Sequence, residues 1–99
     1  MTVFGYETKT TFWEDFTIAD MFGVEAVKDT YNRAFREWKT NIVYVTELVM
    51  ILNWKLWQHY ENNNKVYSKL YDELWQKTHD WCLDNLKGDD LSYYLNTTD

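Results

Sequence analysis

Residues 42–61 read IVYVTELVMILNWKLWQHYE, and the assignment of this stretch decides the fold. Its opening residues Ile42, Val43 and Val45 are β-branched and suit a strand. The apolar positions nevertheless keep recurring at intervals of three and four, which is the period of a helix. Two apolar lines run along that helix: Val45, Leu48, Leu52, Leu56 and Tyr60 form one, and Val43, Met50, Trp54 and Trp57 form the other. A helix that is apolar on two sides is either central in a bundle or shared with a partner. The segment is therefore expected to be the hub of the core.

Upstream, Thr40-Asn41 offers a capping break, and residues 24–39 carry Val24, Val27, Tyr31, Ala34 and Trp38 at helical spacing, with Phe35 widening the stripe. Gly23 separates this helix from a shorter one over residues 12–22, where Phe12, Phe16 and Ala19 share a face. Thr11 and Glu14 fit a capping box at its start, and Glu14 and Asp15 lie against its positive end. Residues 1–10 alternate weakly around Gly5 and read as an extended arm.

Downstream, Asn62-Asn63-Asn64 is a loop with Asn64 as a good helix cap. Tyr67, Leu70, Tyr71, Leu74, Thr78, Trp81 and Cys82 then mark the buried face of a fourth helix, which Gly88 should end. Residues 89–95 are expected to form one further turn that tucks Leu91 and Tyr94 onto the bundle, with residues 96–99 frayed. The expected fold is all-α: a four-helix bundle-like domain over residues 11–99, an N-terminal arm over 1–10 and a C-terminal helical turn.

The totals exclude whole classes. The chain has 99 residues, 45% hydrophobic and 26% charged, with 3 Gly, no Pro and one Cys. That rules out collagen-like, low-complexity and disulfide-scaffold proteins. With Cys82 alone, a reducing, cytoplasmic setting is the simpler expectation. The N-terminus lacks the pattern of a signal peptide, and residues 42–57 are too short and too polar to span a bilayer. A net charge of −6 disfavours general binding to nucleic acid or anionic lipid. The charge is uneven: −4 over residues 1–27, +3 over 28–71 and −5 over 72–99.

No catalytic constellation is legible. Gly5, Gly23 and Gly88 are isolated and cannot form a phosphate-binding loop. Glu14/Asp15, Asp72/Glu73 and Asp89/Asp90 are sequence neighbours that point apart, unlike an acid/base pair. His79 and Cys82 share a helix face near Asp80 and Asp84, which is fewer soft ligands than zinc requires, so neither metal nor cofactor is expected. The flanking aspartates should raise the Cys82 thiol pKa and keep it unreactive. Lys28, Arg33, Arg36 and Lys39 interleave with Tyr31, Phe35 and Trp38, a pattern that suits nucleic acid or an amphipathic helix with snorkelling cations.

The most unusual number is 19% aromatic residues, among them 6 Trp. A domain this small has a limited interior, so some rings should sit at the surface as contact points for a protein. Trp54, Trp57, Trp75 and Tyr93 are the expected contacts, with Asp84, Asp89 and Asp90 steering a basic partner.

The segments TTFWEDFTIADMFG (10–23), DTYNRAFREWKTN (29–41), YVTELVMILNWKLWQHYE (44–61), YDELW (71–75) and NLKGDDLSYYLNTTD (85–99) resemble small acidic accessory proteins of phages and conjugative elements of Gram-positive bacteria. The resemblance covers about residues 11–99 and brings no catalytic motif. It implies cargo of mobile DNA, and its sharpest implication is an anti-CRISPR-like inhibitor that occupies the surface of a host defence nucleoprotein. A small DNA-associated regulator using Lys28, Arg33, Arg36 and Lys39, or a homo-oligomeric structural protein, are the alternatives from the residues themselves.

Overall fold

Two asparagines set where the long helices begin. The Asn41 side chain accepts a hydrogen bond from the Val43 amide at 3.1 Å, and the Asn64 side chain accepts one from the Tyr67 amide at 3.3 Å. Each satisfies an amide that the first helical turn would leave orphaned. Between helices, Asn63 adopts φ 56°, a left-handed conformation asparagine tolerates, and Gly23 adopts φ 115°, where a side chain would be strained.

The structure is a computed structural model that describes residues 2–3, 6–7 and 12–98. It contains β1 (Thr2–Val3), β2 (Tyr6–Glu7), α1 (Phe12–Phe22), α2 (Val24–Trp38), α3 (Ile42–Glu61), α4 (Lys65–Asn85) and α5 (Gly88–Thr98). The two short strands pair antiparallel, Thr2 opposite Glu7 and Val3 opposite Tyr6. The rest of the arm expected over 1–10, and the Thr11 half of the capping box, lie outside the described residues.

The all-helical reading holds for the domain, and α3 is its hub, touching each of the other four helices. The count of four helices is corrected to five. The expected terminal turn is an 11-residue helix that runs to Thr98, into the stretch expected to fray. Its cause is local and tertiary at once. Asp89 and Asp90 occupy the first turn, against the positive helix end. Tyr94 is fully buried, and Leu91 and Leu95 pack beside it. Gly88, read as the stop of α4, instead opens α5 with φ 58°, while α4 closes at Asn85 with extended Leu86 after it.

The core has two parts. The larger joins α1, α2, α3 and α4 through Phe12, Phe16, Val27, Tyr31, Leu48, Leu52, Leu70 and Tyr71. The smaller joins α3, α4 and α5 through Val45, Val49, Cys82, Leu86 and Tyr94. Within α3 the first apolar line is buried as far as Leu52 and half-buried at Leu56, but Tyr60 is 72% exposed. Its buried arc also takes in Thr46, Val49, Ile51 and Lys55. No helix of the described residues is long and apolar enough to cross a membrane.

Candidate functional site

The two faces of α3 differ in how their polar and aromatic groups are used. On the inner face, Lys55 continues the buried stripe seven residues after Leu48 and is only 3% exposed. A charge there needs a partner, and Asp20 at the end of α1 supplies it. Asp20 Oδ2 lies 3.4 Å from Lys55 Nζ and 3.0 Å from His59 Nε2. Its Oδ1 accepts from the Tyr71 hydroxyl at 2.6 Å, and its backbone carbonyl accepts from the Tyr67 hydroxyl at 3.1 Å. The His59 ring stacks on Tyr67 and Tyr71 at 4.9 and 5.4 Å, and Lys55 Nζ sits 5.1 Å from the Trp13 ring centroid. Burial first, and then the Asp20 carboxylate, push the Tyr71 phenol well above its ordinary pKa, so it stays a donor. Both carboxylate oxygens are engaged, and the cluster ties α1, α3 and α4 together.

The sequence reading missed this cluster. Neither Lys55 nor Asp20 is among the residues that the sequence singles out. The signal was present: a lysine in register with Leu48 and Leu52 requires a buried anion.

The outer face is open. Trp54 and Trp57 are 54% and 58% exposed. They form a shared wall between two depressions. One, of about 390 Å³, is lined among the described residues by Trp54, Trp57, Gln58 and Glu61. The other, of about 200 Å³, runs between α3 and α5 and adds Val49, Met50, Asn53, Trp75, Thr97 and Thr98. The structure thus brings Trp54, Trp57 and Trp75 together. Trp75 is held half-buried by stacking on His79 at 4.9 Å. In turn His79 Nδ1 meets the Tyr94 hydroxyl at 2.6 Å.

The acidic candidates are not part of this face. Asp84, Asp89 and Asp90 are exposed, with Asp89 and Asp90 at the start of α5. Thr97 and Thr98, which line the groove, are at its other end, about 12 Å away along the axis. Tyr93 is half-buried on α5 and does not line either depression among the described residues.

Lys28, Arg33, Arg36 and Lys39 are all exposed on or just after α2. Arg33 lies 3.4 Å from Asp15 and Lys28 lies 3.8 Å from Glu25. The interleaved rings turn inward: Tyr31 is buried and stacks on Phe35, Phe35 meets the Trp81 edge, and Trp38 packs on Tyr44. They are not offered to bases in the manner single-strand recognition uses.

The Cys82 thiol is fully buried and pushed up to about 11. Its cause is burial, not the neighbouring aspartates, since Asp80 and Asp84 are exposed. His79 is engaged with Tyr94, and no group of three or more potential metal ligands occurs among the described residues.

A third depression, of about 170 Å³ between α1 and α2, involves Ile18, Phe22 and Arg33. Phe22 within it is 78% exposed and Met21, next to it in sequence, is 80% exposed, apolar surface that the sequence did not single out. Comparison with protein-family models, with curated proteins and with solved structures finds no match for the chain.

Proposed function

We propose that the protein is a non-catalytic binding protein that docks on a partner protein through the outer face of α3. The observation that carries this reading is the pair of indoles, Trp54 and Trp57, more than half exposed and walling two depressions. A rigid, amphipathic ring in a concave setting gains most when a partner covers it. The net charge of −6 favours a basic partner and speeds encounter with it. In the mobile-element setting that the resemblance implies, the partner is a host nucleoprotein of the defence machinery, inhibited by occupation of its surface in the cytoplasm.

Affinity capture from a host lysate, run in parallel with wild type, Trp57→Ala and Trp75→Ala, tests this reading. A protein retained by wild type and lost with Trp57→Ala supports it. Recovery of the same proteins in equal amount by all three forms contradicts it.

A further inference from the structure

An indole, a cation and a carboxylate meet on the inner face of α3: Lys55 Nζ lies 5.1 Å from the Trp13 ring centroid and 3.4 Å from Asp20 Oδ2. The outer face supplies two indoles and a carboxylate. Trp54, Trp57 and Glu61 line one cleft of about 390 Å³ together with Gln58. Among the described residues no cation pairs with Glu61. The lysine of this helix, Lys55, is buried beneath the cleft, paired with Asp20 and donating to Gln58 Oε1, each at 3.4 Å, and does not reach Glu61. We infer that this cleft takes an arginine side chain presented by the partner protein, an inference that rests on the docking reading above.

The chemistry selects arginine. A planar guanidinium lies flat on an indole while its N–H groups donate in parallel to one carboxylate. It is also more weakly hydrated than an ammonium, so its transfer onto an aromatic wall costs less. An apolar side chain in the same place would desolvate Glu61 without a compensating donor. The cleft has room for the aliphatic stem as well as the charged head. The overall charge of −6 draws a basic segment towards it.

The test is titration of the full, ¹⁵N-labelled chain with acetyl-Gly-Arg-Gly-amide, its citrulline counterpart and its lysine counterpart, read at the indole N–H signals. Saturable shifts of Trp54 and Trp57 are expected with the arginine peptide, with a Kd on the order of millimolar for so small a ligand. The neutral citrulline peptide should bind about three- to five-fold more weakly, as expected for loss of one exposed charge pair. Glu61→Gln should bring the arginine peptide down to the citrulline level. Trp57→Leu should abolish the response while circular dichroism and the urea midpoint stay unchanged.

An equal response to arginine and citrulline overturns the inference, as do a lysine peptide that binds as well as arginine and no indole response at all. The two readings fail separately. If no indole moves yet Trp57→Ala still loses the captured protein, the arginine assignment falls and the docking surface stands. If the peptide moves both indoles while wild type and Trp57→Ala capture identical proteins, the docking surface falls.

Discussion

The inner and outer faces of α3 use the same side-chain chemistry to opposite ends. Inside, Lys55 and His59 share the Asp20 carboxylate with Tyr71, and their rings and charges are covered by α1 and α4. Outside, Trp54 leans on Trp13 of α1 at 6.0 Å yet, like Trp57, stays more than half exposed, and Glu61 beside them pairs with no cation among the described residues. The contrast teaches how one helix divides its labour. Groups that complete one another within the chain hold the fold, and groups left incomplete are available to another molecule.

The contrast breaks most visibly at Asp20. Asp20→Ala leaves Lys55 buried without its anion, a change expected to cost about 3–5 kcal/mol, measured as the loss of urea-unfolding stability. Adding Lys55→Met should recover part of that loss, because an apolar side chain no longer needs a counter-charge. A small effect of Asp20→Ala would show that the inner cluster does not hold the helices together.

The outer face should behave in reverse. Trp57→Ala is expected to change stability by no more than about 0.5 kcal/mol, yet to weaken partner binding by about 2 kcal/mol or more. Isothermal titration with the captured partner, beside urea unfolding of the free chain, separates the two. Large destabilisation would place Trp57 with the core after all.

Alkaline titration sharpens the account of the buried acids. The Cys82 thiol is raised from its ordinary 9.0 to about 11 by burial. Below pH 9 both folded and unfolded thiols are protonated, and its contribution to stability is fully present. Between pH 9 and 11 the unfolded thiol ionises and the folded one does not, so stability falls, at up to about 1.4 kcal/mol per pH unit for such a group. Tyr31 and Tyr71, raised above 10.0 by burial, extend the same decline to higher pH. In Cys82→Ala the urea midpoint should hold flat to about pH 10 before falling. An unchanged profile would contradict the burial argument.

A smaller gain is expected at Thr46, whose buried hydroxyl has no hydrogen-bond partner among the described residues. Thr46→Val keeps the shape and removes the unsatisfied group, and should stabilise by about 1 kcal/mol in the same unfolding assay.

Much of the scaffold was legible because it is written in local chemistry. Asn41 and Asn64 announce their helices, and the spacing of Val27, Tyr31 and Ala34, or of Leu70, Tyr71, Leu74, Thr78 and Cys82, marks the faces that are buried. The crowding of indoles on α3 and α4 was legible for the same reason. Helical period alone places Trp54 and Trp57 on one stripe, although only the fold brings Trp75 and the end of α5 beside them.

What escaped was long-range pairing. Nothing local to Asp20 points to Lys55 and His59, which lie more than thirty residues away. The C-terminal turn with its buried Tyr94 was legible, but its extension to an 11-residue helix was not, because its apolar content is modest and Tyr94 packs against residues of α3 and α4 far away in sequence. Asp89 and Asp90 were grouped with the aromatic contacts by chemistry alone, whereas α5 holds them at the end opposite its groove residues.

The central claim is that the outer indoles of α3 await cover by another protein. Fluorine NMR of the 5-fluorotryptophan-labelled chain reads all 6 indoles separately, before and after the captured partner is added. Trp54 and Trp57 should show the larger solvent isotope shifts in the free protein, and theirs should be the signals that move on binding. Shielded Trp54 and Trp57 signals, or binding that leaves both unmoved, would contradict the account.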